Sequence, residues 1–448
     1  MNTDNTVKQH ASLFDLDGVP KMSQAIPLAL QHVVAMIVGC VTPAIIISGA
    51  AGIDTADRVL LIQASLVVSA LATLLQLFPI GNKNSFHLGA GLPVILGVSF
   101  AYVPSMQAIA EQSGIPAILG AQIAGGVCAI LVGLTIKKIR KFFPPLIAGT
   151  VVFTIGLSLY PTAINYMAGG AGQPTYGAWQ NWVVAIFTLV VVTVLNHFAK
   201  GFLKLASILI GMIAGYIFSM FFGMVSFGNV AESGMFQLPQ VMHFGISFEA
   251  SACVALGLLF VINSVQAIGD FSATTAGGLD REPTTNELHG AILGYGFSNI
   301  IGAFLGCLPT ATYSQNVGIV ATTKVVNRVT LGLSALIILV AGLFPKFSAL
   351  LTTIPYAVLG GATVSVFASI AMTGMKLVMT EDMNYRNTSI VGLAAALGMG
   401  VSQASASLSA FPTWVTTIFG KSPVVIATLV AILLNVTLPK DTGKVKKN

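Results

Sequence analysis

The sequence predicts an all-α polytopic membrane protein whose two halves carry matching helix breaks. Three observations predict it: an apolar composition, fourteen apolar runs, and two Leu-Pro motifs 216 positions apart. Over 448 residues, 55% are apolar and 8% charged, with a mean hydropathy of +0.87. No single soluble core hides that much apolar surface, so lipid must be the solvent and a partner of the chain. The polar N-terminal stretch carries Asp4, Asp15 and Asp17 and lacks the basic start and cleavage site of a signal peptide, so membrane entry is expected at the first span. Cys40, Cys128, Cys253 and Cys307 sit in apolar runs without metal or redox spacing and read as packing residues.

Runs able to cross roughly 30 Å of hydrocarbon begin near residues 26, 58, 91, 115, 144, 181, 202, 250, 288, 316, 328, 354, 388 and 422. That is seven in each half, and the tenth reaches span length only with the extended stretch before it. Several runs are short or hold Gly and Pro, so twelve spans is the alternative count. Charge tests the number independently. With the N-terminus cytoplasmic and all fourteen runs crossing, 18 of the 21 basic residues fall on one side, including the Lys137-Lys138-Ile-Arg140-Lys141 cluster. Only Arg58, Lys346 and Lys421 fall on the other. This is the positive-inside pattern, and it places both termini in the cytoplasm and the chain in the cytoplasmic (inner) membrane. The net charge of +6 is then explained by topology, and without a basic stripe interleaved with aromatics there is no reason to expect nucleic-acid binding.

The two motifs are Leu92-Pro93-Val-Ile-Leu-Gly-Val-Ser99-Phe100 and Leu308-Pro309-Thr-Ala-Thr-Tyr-Ser-Gln315-Asn316. In each, Leu-Pro opens a non-helical segment and a polar or aromatic pair closes it. Interrupted membrane segments at corresponding places in two halves point to a transporter's site near the bilayer midplane. Thr310, Thr312 and Tyr313 favour extended backbone after Pro309, and Asn316-Val-Gly318 reads as the start of a half-helix. Such a start presents unpaired N–H groups and about half a positive charge, which suits an electron-rich planar ligand.

Asp270 is the acidic residue deepest inside a run, where an ionisable group needs a partner or a purpose. Asn263, Gln266, Asp270 and Thr274 recur at spacings of three and four, one polar stripe on an apolar helix. The stripe reads as the wall of a site or as an interhelical hydrogen-bond network. No metal or cofactor is expected, since the six histidines show no HExxH or comparable spacing. An enzyme would need a nucleophile–base pair, which the pattern does not supply.

The stretch Gln315-Asn316-Val-Gly318-Ile-Val-Ala-Thr322-Thr323-Lys324 resembles the signature of the nucleobase–ascorbate transporters (nucleobase-cation-symport-2). The similarity extends to Gln31-His32, to Gly91-Leu92-Pro93 through Ser99-Phe100, and to Gln266-Ala-Ile-Gly269-Asp270, so it covers nearly the whole chain. The resemblance implies fourteen spans in two inverted seven-span repeats. It implies cytoplasmic tails at 1–25 and 439–448, a core domain from 26–143 and 246–345, and a gate domain from 144–245 and 346–438, moving past one another in an elevator motion. It further implies a homodimer, and a purine cargo of the xanthine or uric acid type, since uracil carriers tend to have Glu at the position of Gln315. Gln315 then hydrogen-bonds the base, Asn316 shapes the site, and Ser99 and Phe100 are third-span contacts; Ser99 leans toward uric acid or mixed use.

Two positions depart from the family's purine carriers, which usually have Glu at Gln266 and Asp at Tyr295. Gln266 still offers a carbonyl and an amide to a base edge, but it cannot titrate. His32 and Asp270 remain as coupling candidates, with Glu287 and His289 at the mouth of the ninth span; H+, Na+ and uniport all stay open. A uracil or other nucleobase carrier of the same family is an alternative. So is an anion exchanger of the sulfate-carrier type, which shares the architecture but usually adds a large soluble C-terminal domain, whereas this chain ends about ten residues after its last run.

Overall fold

A computed structural model describes residues 12–82, 86–135, 144–420 and 422–439. Lys8, Lys83, Lys421, the 137–141 cluster and the tail lysines of the charge argument lie outside them. Long uncharged runs fold as helices because a backbone in hydrocarbon must satisfy its own hydrogen bonds. α1 (Met22–Ala51) closes on Gly52 at φ 64°, and α2 (Thr55–Leu77) opens where the Asp54 carboxylate accepts the Asp57 N–H. A short hairpin of β1 (Ile80–Gly81) and β2 (His87–Leu88) leads to β3 (Leu96–Val98), a 3-10 turn at Phe100–Tyr102, and α3 (Val103–Leu134). α3 is broken at Gly114, whose φ of 72° and ψ of −172° no helix holds.

There follow α4 (Pro145–Ser158), α5 (Tyr160–Met167), α6 (Trp179–Phe198), α7 (Phe202–Leu205), α8 (Ser207–Met220) and α9 (Gly228–Glu232). The second half holds α10 (Ala250–Leu279), α11 (Thr285–Phe304), β4 (Thr310–Thr312), α12 (Ser314–Thr323) and α13 (Arg328–Gly342). It ends with α14 (Pro345–Thr352), α15 (Tyr356–Val378), α16 (Tyr385–Gln403), α17 (Thr413–Gly420) and α18 (Pro423–Thr437). Among the described residues seven helices are long and apolar enough to cross a membrane, or eight if the pair α13 and α14, bent by 81°, counts as one span. The chain is thus an all-α multi-pass membrane protein apart from its short strands.

α3 packs most heavily on α10 and α11, and α2 on α13. α4 packs on α15, and α16 on α18. The α4–α15 contact is close because its faces are small: a Cβ on Gly156 would lie 2.3 Å from the Ala371 nitrogen.

β3 and β4, one from each half, meet as a buried two-stranded sheet. They pair antiparallel, with Leu96 opposite Thr312, Gly97 opposite Ala311 and Val98 opposite Thr310. The ladder continues at both ends, where the Ser99 N–H donates to Pro309 O at 3.1 Å and the Tyr313 N–H to Ile95 O at 3.0 Å. In such a pair alternate residues turn their N–H and C=O away from the partner strand. Side chains of flanking helices meet them. Thr73 Oγ1 accepts the Leu96 N–H and donates to Leu96 O, at 3.0 Å each, and Ser69 Oγ accepts the Val98 N–H at 3.3 Å. On the other strand, Asn299 Oδ1 accepts the Thr310 N–H at 2.8 Å while its Nδ2 donates to Thr310 O at 3.3 Å.

Candidate functional site

Each paired strand runs straight into a helix start. After β3, the Ser99 hydroxyl accepts the Ala101 N–H at 3.2 Å and caps the turn that begins at Phe100. After β4, Tyr313 precedes α12, which begins at Ser314, two residues ahead of the start read from Asn316. Because the strands are antiparallel, the two starts leave opposite ends of the ladder. Both border one cavity of about 330 Å³.

Ser99 and Phe100 from the first start line this cavity, with Ser314 and Gln315 from the second and Gln266 from α10. The facing wall comes from α4 and α15, through Val152, Ile155, Ile370 and Thr373. Phe100 is braced edge-on against Phe367 of α15, with ring centroids 5.2 Å apart. The Gln315 side chain is exposed and that of Gln266 half-buried. Neither carboxamide has a hydrogen-bond partner among the described residues, so both are available to a ligand. Donors and acceptors on two amides, an aromatic ring and two helix starts make a slot for a flat, polar ring system.

The remaining residues singled out in the sequence lie around the slot rather than in it. The buried Asp270 carboxylate, one turn beyond Gln266, accepts from the Ser314 hydroxyl at 2.9 Å and from the Thr312 hydroxyl, tying α10 to the start of α12. Asn316 turns away from the cavity, and its Nδ2 donates to His32 Nδ1 at 3.1 Å and to His32 O at 3.2 Å. His32 is buried, with Nδ1 in the acceptor role that this contact assigns. Asn263 is buried and donates to Leu259 O at 2.9 Å. Tyr295 stands behind the slot, its phenol paired with that of Tyr102. Glu287 and His289 are not among the described residues that line the cavity. Glu287 caps α11 with Thr284 and grips Arg281 through both oxygens, at 2.6 and 2.9 Å, holding that guanidinium above its ordinary pKa.

Several contributors escaped the sequence reading. Tyr313 does more than favour extended backbone: its hydroxyl donates to Val98 O at 2.6 Å, and its ring lies against Gly39 and Gly97. Thr73, Ser69, Tyr102 and Asn299 were not singled out at all. Their signal is a lone polar group inside an apolar run, which marks a residue that needs a partner without saying which.

A cavity between two helix starts, fitted with uncommitted amides in an all-α membrane fold, belongs to the class of membrane transport proteins. A model described as Permease family, that of the xanthine and uracil permeases, matches residues 23–407. The chain belongs to this family, the nucleobase–ascorbate transporters of the sequence signature, and is a transporter rather than an enzyme. It is 33% identical over 416 residues to the xanthine permease of Bacillus subtilis, covering 92% of this chain and 93% of that one. It is 35% identical over 418 residues to the uric acid permease PucJ of Bacillus subtilis, covering 91% of each. Among solved structures, the transmembrane domain of the cyanobacterium bicarbonate transporter BicA shares the fold, with a TM-score of 0.56 and 15% identity over 92% of this chain and 98% of that one.

Proposed function

We propose that this protein is a secondary active carrier that imports a purine base, xanthine or uric acid, across the cytoplasmic membrane by alternating access. One observation carries the reading. Ser99, Phe100, Gln266 and Gln315, drawn from both halves, border a single cavity of about 330 Å³ in which neither carboxamide has a hydrogen-bond partner among the described residues. Purine edges alternate donors and acceptors, which two carboxamides match, and the ring face meets Phe100. Relatives named for xanthine and for uric acid support the purine class. The described cavity lining holds no Lys, Arg or His, which favours a nitrogen heterocycle over a small inorganic anion despite the likeness of fold to a bicarbonate transporter.

In this reading the chain crosses fourteen times, as two inverted seven-span repeats with both termini cytoplasmic. The break at Gly114 separates the third span from the fourth, and the short helices α8, α12 and α18 lie where the fourteen runs place their spans. Residues 26–143 and 246–345 form the core and 144–245 and 346–438 the gate, a division supported by the packing of α3 on α10 and α11 and of α4 on α15. The base is held by core residues against the gate wall, and sliding of one body past the other opens the slot to each side in turn. Asp270, tied to the start of α12, is the first candidate to couple H+ or Na+, with His32, held by Asn316, as the second. The carrier works as a homodimer.

The test is uptake of radiolabelled xanthine and uric acid into proteoliposomes, with and without imposed pH and Na+ gradients. Saturable, counterflow-competent uptake is expected, and Gln315→Ala and Gln266→Ala should each abolish it while inserting normally. Normal uptake by both variants would refute this site.

A further inference from the structure

We propose that Tyr295 is a positioning residue that sets the selectivity of the slot by fixing the first-half helix start; the inference rests on the site described above. Tyr295 is fully buried in α11 and is not among the described residues that line the cavity. Its phenol is hydrogen-bonded to that of Tyr102, also fully buried, which closes the short turn beginning at Phe100. The Phe260 ring covers both, with centroids 4.9 Å from Tyr102 and 5.7 Å from Tyr295. Phe260 belongs to α10, the helix that brings Gln266 to the slot.

The three rings therefore lock together the turn that carries Phe100, the helix that carries Gln266, and α11. One helical turn beyond Tyr295, Asn299 holds Thr310 of β4 through both of its amide atoms. Residues four apart share a helix face, so one face of α11 anchors the approach to both helix starts. Removing the Tyr295 phenol oxygen leaves the Tyr102 phenol only the Asn263 side chain of α10 to pair with in a dry interior, and it must turn or shift toward it. Tyr102 cannot shift without carrying Phe100, two residues away in the same turn. Xanthine and uric acid differ at the ring edge by one oxygen, so a small displacement of the ring that faces them changes their relative fit more than it changes folding.

The experiment measures initial-rate uptake of xanthine and of uric acid by the full chain and by Tyr295→Phe, Tyr102→Phe and the double variant in proteoliposomes, alongside melting temperature in detergent. The ratio of the two KM values should move by about threefold or more in each single variant. The double variant should resemble a single one rather than compound the two, because both singles break the same bond. A purely structural role would lower the melting temperature and the yield while leaving the ratio unchanged, and an unchanged ratio in the folded variants overturns the proposal. If Tyr295→Phe does not fold, Tyr102→Phe alone decides. If the unaltered protein carries neither purine, the purine reading fails, and the positioning role is then judged by maleimide labelling of Ser99→Cys. A labelling rate unaltered by Tyr295→Phe would sink it, whereas a changed rate would support it.

Discussion

Thr73→Val tests whether the paired strands depend on side chains for their outward hydrogen bonds. Thr73 is fully buried, and its hydroxyl meets both the N–H and the C=O of Leu96 at 3.0 Å. Valine keeps the branched shape but withdraws both partners at once, leaving two backbone groups at a depth where water does not replace them. At about 1–3 kcal/mol per orphaned buried group, the expected loss is about 2–6 kcal/mol. Thr150→Val is the matched control. Thr150 is equally buried, but its hydroxyl lies 2.7 Å from Leu146 O, a carbonyl that its own helix already pairs. Its loss should stay below about 1 kcal/mol. Both variants are purified in detergent and their unfolding midpoints compared at equal denaturant sensitivity. Thr73→Val should also weaken transport, since Leu96 lies three residues before Ser99. Equal stability of the two variants would show that the strand edge finds its hydrogen bonds elsewhere.

Three further outcomes follow from the same geometry. In Gly97→Ala the new Cβ would lie 2.7 Å from the Tyr313 ring and hydroxyl and 2.8 Å from Cys40 Sγ, so Tyr313 must leave Val98 O. A loss of about 2–4 kcal/mol with impaired uptake is expected, while Gly269→Ala, with nothing within 4 Å, should melt like the parent. The Ser105 and Ser422 hydroxyls are 2.6 Å apart, joining α3 to the residue before α18. Ser105→Cys with Ser422→Cys should stop uptake under oxidant and recover it in dithiothreitol; uptake persisting through a formed bridge would argue that these helices do not separate during transport. Asp270→Asn should abolish gradient-driven accumulation while counterflow continues at a reduced rate, and uphill accumulation by this variant would remove Asp270 as the coupling group.

Much of the architecture could be read from the chain because its strongest constraints are local. Leu92-Pro93 and Leu308-Pro309 forbid helix where lipid otherwise demands it, and both precede the short strands at Leu96–Val98 and Thr310–Thr312. The stripe from Asn263 to Thr274 announced a helix face that cannot meet lipid, and two of its members, Gln266 and Asp270, turn toward the slot and the start of α12. What stayed hidden is pairing at a distance. Nothing local links Thr73 to Leu96, Tyr102 to Tyr295, or Asn299 to Thr310, since each bond depends on which helices become neighbours. The start of α12 also falls two residues early because Tyr313 takes the cap position, with its phenol held by Val98. That contact depends on the other half of the chain.

The β3–β4 ladder joins residues more than 200 positions apart, one strand from each half. A ribosome that has delivered only the first half has therefore threaded into the bilayer a segment whose inner hydrogen-bonding edge has no counterpart yet. Until Thr310–Thr312 emerge, that edge must be kept wet or shielded by other protein, so assembly of this carrier is a wait for its own second half. Severing the chain in the loop before α10 and producing both fragments together should then restore transport, whereas either fragment alone should be degraded.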